Sequence, residues 1–245
     1  MKIGIIGFGN FGKFMAKQLK EKAEIIVTDV VNKEKEAKEI GVKFDSLENL
    51  LQSKIIILAV PMENFKVMLH KIKDKLLPGT LILDVCSLKV FSCNAMKEIL
   101  PENVEIIGTH PLFGPQSAHD SIKGMKIVLC NVRSKKLNEI SKFCEGLCLK
   151  VFITTPEEHD KKMALSQALT HFIGQVAKKM NINRVDLSTK TFEDLMDVID
   201  IIKNDTRALF ENMQTMNPFA REVREKFIKE CEAINNYLNV KDNNF

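Results

Sequence analysis

The chain is predicted to be an α/β protein, with an N-terminal doubly wound parallel sheet and a C-terminal all-helical domain. Three observations carry this. Short β-branched runs alternate with charged segments of helical period, the runs stop near residue 154, and a glycine-rich turn follows the first run directly. Apolar runs of this kind suit strands buried on both faces, and their alternation with helices argues for parallel pairing.

In chain order the runs are Lys2 to Ile6, Glu24 to Thr28, Lys54 to Val60, Thr80 to Leu83, Val104 to Ile107, Lys126 to Cys130 and Lys150 to Ile153. At Thr154-Thr155-Pro156-Glu157-Glu158 the pattern changes to a threonine N-cap, a proline in the first turn and acidic neighbours, which together announce a helix. No strand-like run of comparable strength follows. The spacing predicts helices near Pro156 to Met180, Thr191 to Met216 and Pro218 to Val240, then a polar tail at Lys241 to Asn244 that frays. The expected domains are 1–154 and 155–245.

Gly7-Phe8-Gly9-Asn10-Phe11-Gly12 is a G-x-G-x-x-G that follows a strand and opens a helix. Gly7 permits the tight turn, Gly9 lets the backbone approach a pyrophosphate, and Gly12 allows close packing of helix on strand. The phosphates would meet the unsatisfied N–H groups of the helix N-terminus. Asp29 stands at the end of the second strand, seventeen residues after Gly12, where its carboxylate can accept from both ribose hydroxyls of NAD and would repel a 2′-phosphate. No arginine lies among Val30, Val31 and Asn32, although Lys33 is close, so NAD is preferred and NADP is the alternative. Met1 to Val30 therefore reads as the opening βαβ unit of a Rossmann-type domain. Val60 and Pro61, with Ala59, end one strand and the Asp84-Val85-Cys86-Ser87 segment ends another; both would flank the nicotinamide half.

Composition narrows the class. Over 245 residues, 36 basic and 32 acidic side chains give a net charge of +4 spread along the length, unlike the clustered footprint of a nucleic-acid binder. No apolar stretch approaches membrane-spanning length and no secretory leader opens the chain, so a cytoplasmic protein with no membrane partner is expected. The six cysteines form no C-x-x-C pair, and Cys144 to Cys148 lacks matching ligands, which predicts reduced, mostly buried thiols and no metal.

Thr109-His110-Pro111-Leu112-Phe113-Gly114-Pro115 places a histidine in a stiffened loop at the same sheet edge, suited to proton transfer above a dinucleotide crevice. Here the chain resembles the prephenate and arogenate dehydrogenases of tyrosine biosynthesis, most closely their compact plant-like and archaeal branch. The matching pieces are Gly7 to Gly12, Asp84 to Lys89, Thr109 to Pro115, and Glu158-His159-Asp160 leading into Ser166-Gln167-Ala168-Leu169-Thr170-His171. The resemblance implies that His110 takes the proton of the substrate's ring hydroxyl as hydride leaves the same carbon for the nicotinamide, with loss of CO2 giving an aromatic product. It implies that Ser87 hydrogen-bonds the histidine or the substrate hydroxyl. It further implies that Gln167, Thr170 and His171 line the substrate pocket; Gln167 and His171 are i and i+4, and Thr170 lies on the adjoining row. His159 and Asp160 read as structural.

The family's carboxylate-gripping arginine has two alignments. The Asp-Thr-Arg context puts it on Arg207, whereas anchoring on Met213-Gln214-Thr215-Met216-Asn217-Pro218 puts it on Ile201. Under the second, Asp205 coincides with an acidic position that favours arogenate, whose side-chain ammonium a carboxylate can pair. The resemblance also implies a homodimer through the helical part, for which Leu195, Val198, Ile199 and Ile202 offer an apolar stripe that would serve equally as core. No appended regulatory domain is expected in this length, so feedback would act at the active site. Two other readings stand beside this one. A β-hydroxyacid dehydrogenase would need a glycine-flanked lysine between Lys161 and Lys179, which the sequence lacks. A dinucleotide-sensing module would not need His110 and Ser87.

Overall fold

The computed structural model describes residues 2–118, 121–203 and 206–242. These form two compact units, Met1–His159 and Asp160–Phe245.

The first unit is an eight-stranded sheet. Its elements are β1 (Lys2–Ile6), α1 (Asn10–Leu19), β2 (Glu24–Thr28), α2 (Glu34–Ile40), β3 (Lys43–Phe44), α3 (Leu47–Leu50), β4 (Ile55–Leu58), α4 (Met62–Ile72), β5 (Leu81–Asp84), α5 (Lys89–Ile99), β6 (Glu105–Pro111), β7 (Lys126–Arg133), α6 (Leu137–Gly146) and β8 (Lys150–Ile153). The strand order is β3-β2-β1-β4-β5-β6-β7-β8. Side chains alternate across the pleat, so Ile3, Ile5, Ile55, Ile57, Leu81 and Leu83 enter one buried cluster while Ile6, Ile56, Leu58 and Ile82 enter another. Burial on both faces is why these strands read as unbroken apolar runs.

Two features depart from the expected parallel sheet. β6 and β7 pair antiparallel, with His110 opposite Val128. A parallel pair needs a helical crossover, whereas the 112–125 connection shows only turns and bends among its described residues. β3 was not expected, because two residues carry no pattern. The other pairs are parallel, so β1, β2, β4, β5 and β6 bring their carboxyl ends to one edge. Strand order reverses between β1 and β4, the switch point at which such sheets bind ligands.

The last helix of this stretch, α7 (Pro156–Met163), contains the division between the units. Thr155 caps it, accepting from the Glu158 N–H at 3.2 Å. Beyond it the helix expected to run evenly to Met180 passes through a π turn at Ala164–Ala168 into α8 (Leu169–Lys179). The helix predicted over Thr191 to Met216 is instead α9 (Lys190–Lys203) and α10 (Arg207–Thr215), the second begun by Thr206, whose hydroxyl accepts from the Leu209 N–H at 3.1 Å. α11 (Ala220–Asp242) extends through Lys241 and Asp242, the first two residues of the expected tail. Small apolar groups hold this unit: Ala164 and Ala168 pack with Met213 and Ala220, and Ala177 packs with Met196 and Ile199. Of the stripe, Ile199 and Ile202 are buried core and Leu195 and Val198 are exposed. No helix among the described residues is long and apolar enough to cross a membrane. Four of the six cysteines are buried; Cys148 and Cys231 are exposed.

Candidate active site

The turn after β1 is shaped by its glycines. Gly7 has φ +98°, and a Cβ there would stand 2.3 Å from the Ala59 carbonyl oxygen; one on Gly12 would stand 2.0 Å from the Gly7 oxygen. Around Gly9 nothing lies within 4 Å of that position. Gly9 and Asn10 are exposed, and no side chain caps α1 and no acid occupies its first turn. The result is an open helix N-terminus with free N–H groups, which fits a pyrophosphate. Phe8 is buried beneath the turn and Phe11 packs against Phe14 at 6.0 Å between centroids. Val60 and Pro61 follow β4 at the same edge, Pro61 opening α4.

Asp29 accepts from the Phe8 N–H at 2.7 Å, the Val31 N–H at 3.2 Å and Lys33 Nζ at 3.1 Å. Burial opposes its ionisation, but these bonds outweigh burial and hold the carboxyl below its ordinary value. Lys33 also donates to the Phe8 carbonyl at 3.0 Å, so the lysine noted only as a sequence neighbour is an integral part of this corner.

Further along the edge lies a buried charge pair with no counterpart in the sequence reading. Asp84, at the end of β5, and Lys89, at the start of α5, are ion-paired with both side chains fully buried. Lys89 donates to the Thr109 carbonyl at 2.7 Å, and Asp84 accepts from the N–H groups of Thr109 and Cys86, both at 3.0 Å. The Thr109 hydroxyl donates to the Asp84 carbonyl. Burial disfavours the ammonium most strongly, but the charge and hydrogen bond of Asp84, together with the neighbouring Cys93 and Cys86, outweigh it and raise its pKa. This frame clamps β5, α5 and β6 together one residue before His110.

His110, expected in a loop, lies instead within strand β6, because the antiparallel pairing with β7 extends the strand through Pro111; it is buried, and its Nδ1 lies 2.8 Å from Nε2 of His159, which is also buried. Burial, then the charges of His159 and Lys89, push the His110 pKa well below its ordinary value, so the ring is neutral at pH 7. Ser87 is half-buried in the turn between β5 and α5. His159, a structural residue by its sequence position, meets His110 through its ring.

In the helical unit, Gln167 falls within the π turn and is half-buried, as are Thr170 and His171. The π turn widens the winding at Gln167, so the simple i, i+4 relation to His171 begins inside an irregular turn. Thr170 donates its hydroxyl to the Ser166 carbonyl at 2.8 Å. Arg207 is exposed and ion-paired with Glu211 at 2.7 Å, Ile201 is half exposed, and Asp205 lies outside the described residues. Gln214 and Asn217, quoted in the sequence without a role, are buried. Gln214 donates to the Ala168 carbonyl at 2.7 Å and Asn217 to the Asp160 carbonyl at 2.9 Å, fastening the π turn and the start of the unit.

A glycine turn at the switch point, an open helix end and a strand-end carboxylate define a dinucleotide-binding domain of the dehydrogenase class. Residues 15–153 match the family model described as "Prephenate dehydrogenase, nucleotide-binding domain", and residues 176–244 match a "TYRAAT1-like, C-terminal domain". The chain belongs to the prephenate dehydrogenase family. It is 30% identical over 258 residues to the "Probable arogenate/prephenate dehydrogenase" of Methanocaldococcus jannaschii, covering 99% of this chain and 58% of that protein. It is 30% identical to the chloroplastic arogenate dehydrogenase 1 of Arabidopsis thaliana, covering 97% of this chain and 39% of that one. The chain thus spans about half the length of these relatives. In fold it matches the A. aeolicus prephenate dehydrogenase solved with hydroxyphenyl propionate and NAD+, with TM-score 0.80, 20% identity, and 98% and 91% of the two chains covered. The Synechocystis arogenate dehydrogenase gives TM-score 0.72 at 22% identity, covering 97% and 93%.

Proposed function

We propose that the chain catalyses the NAD(P)-dependent oxidative decarboxylation of arogenate, prephenate or both, giving tyrosine or 4-hydroxyphenylpyruvate. The observation that carries this reading is a buried, neutral histidine, His110, at the end of β6, on the same sheet edge as the Gly7 to Gly12 cradle. A bound nicotinamide ring supplies the hydride acceptor. His110 accepts the proton of the ring hydroxyl as that carbon is oxidised, and Ser87 hydrogen-bonds the histidine or the hydroxyl. Loss of the ring carboxylate as CO2 then yields the aromatic ring, and aromatisation drives the reaction, so the protein's task is positioning.

The remaining assignments follow the family resemblance. Gln167, Thr170 and His171 face the substrate; under one alignment Arg207 grips a substrate carboxylate, and under the other Asp205 pairs with the ammonium of arogenate. NAD is preferred over NADP, because Asp29 is kept ionised to accept from ribose hydroxyls and would repel a 2′-phosphate. The working form is a cytoplasmic homodimer assembled through the helical part. Exposed Leu165, Leu195, Val198, Tyr237 and Leu238 support that assembly, which light scattering at twice the chain mass would verify.

Steady-state rates with both substrates and both cofactors, on wild type and Asp205→Asn, test the proposal. NADH formation with arogenate, reduced in the variant, is expected. No turnover with either substrate would refute the activity, and equal arogenate rates in the variant would remove the role given to Asp205.

A further inference from the structure

The His110–His159 pair carries an inference that rests on His110 acting as the base. The two ring nitrogens are 2.8 Å apart, the centroids 5.0 Å, and the rings cross at 69°. Two buried nitrogens at that distance share one proton between them, because a pair of facing lone pairs would repel and a buried polar group left unbonded is costly. Only two arrangements satisfy this in a neutral pair. Either His159 donates from Nε2, which leaves the His110 proton on its own Nε2 and the ring unable to accept another there, or His110 donates from Nδ1, which leaves a lone pair on Nε2.

We propose that His159 is the positioning residue for His110: its Nε2 accepts the Nδ1–H of His110, fixing the tautomer whose Nε2 is basic toward the substrate hydroxyl. The charged groups that face His110 are Lys89 from α5, paired with Asp84 of β5, while His159 comes from α7 and Val128 lies opposite on β7. An imidazole acceptor orients the His110 ring, and it accepts a stronger, charge-assisted bond once His110 carries the second proton. The backbone supports the pair from both sides. Thr109 is clamped by Asp84 and Lys89, and the His159 N–H donates to the Thr155 carbonyl at 3.0 Å in the first turn of α7.

The test combines His159→Leu and His159→Gln in the full chain with nitrogen-15 spectra of the histidine rings. Gln retains a neutral acceptor that does not titrate. The wild-type His110 ring is expected to carry its proton on Nδ1. His159→Leu is expected to lower kcat about 10²-fold with little change in NAD affinity or substrate KM, and to leave the His110 ring in mixed tautomers. His159→Gln is expected to recover most of kcat and keep the proton on Nδ1. A wild-type spectrum with the His110 proton on Nε2 would overturn the proposal, as would an unchanged kcat in His159→Leu. If the leucine variant does not fold, a Gln variant as slow as His110→Asn would also overturn it. The ring spectrum needs no turnover, so failure of the substrate assignment and failure of the pair are read separately.

Discussion

The two units hold their chemistry-bearing side chains in opposite ways. In the sheet-bearing unit these groups are fixed by bonds inside the unit: Asp29 by two backbone N–H groups and Lys33, Thr109 by Asp84 and Lys89, His110 by His159. In the helical unit Gln167, Thr170 and His171 are half-buried, Arg207 is exposed, and a series of large apolar side chains faces outward, among them Leu165, Met180, Ile234 and Tyr237. The first unit is thus preorganised, with its polar frame built into the core, whereas the second is a scaffold packed through small residues with large apolar side chains on its exterior.

That contrast can be broken by substitution, with the largest effect expected at the buried ion pair. Lys89→Met would leave the Asp84 carboxylate uncompensated in the core and should cost about 3–5 kcal/mol in chemical denaturation. A wild-type unfolding curve would show that the frame is not structural. Next comes a pair within the glycine turn. Gly12→Ala drives a Cβ into the Gly7 carbonyl and should cost about 1–3 kcal/mol, whereas Gly9→Ala meets open space and should fold normally while weakening dinucleotide binding by calorimetry.

Acidity offers a smaller, graded effect. The folded His110 pKa lies below the unfolded value near 6.5, so as pH falls through 6.5 the unfolded chain takes up a proton that the native ring refuses. Stability should therefore decline on acidification below pH 6.5 and be unaffected by this group above it. The log of kcat/KM should stay level through pH 6.5 and bend only at lower pH. Arg207→Ala should do least to stability, because an exposed i, i+4 pair contributes little; its melting temperature should match wild type, with any change confined to substrate KM.

Much of the first unit was legible because buried parallel strands write themselves as apolar runs: β1, β2 and β8 begin and end where the sequence put them. The glycine turn was legible because its backbone tolerates nothing else at Gly7 and Gly12. The antiparallel turn of β7 was not, since pairing direction depends on the connection rather than on the strand. The π turn was hidden because one widened turn barely disturbs an apolar stripe of helical period. The pairs Lys89–Asp84 and His159–His110 were not legible for a common reason. A charged or polar residue in sequence reads as surface until the partner that permits its burial is known, and Asp84 and His110 supply those partners only in three dimensions.

If His110 transfers the proton at a cradle that binds a nicotinamide dinucleotide, one variant separates the two functions. His110→Asn should bind NAD with wild-type affinity by calorimetry while its kcat with arogenate or prephenate falls by about 10²–10⁴. Undiminished turnover in this variant, or loss of NAD binding in step with activity, would contradict the account.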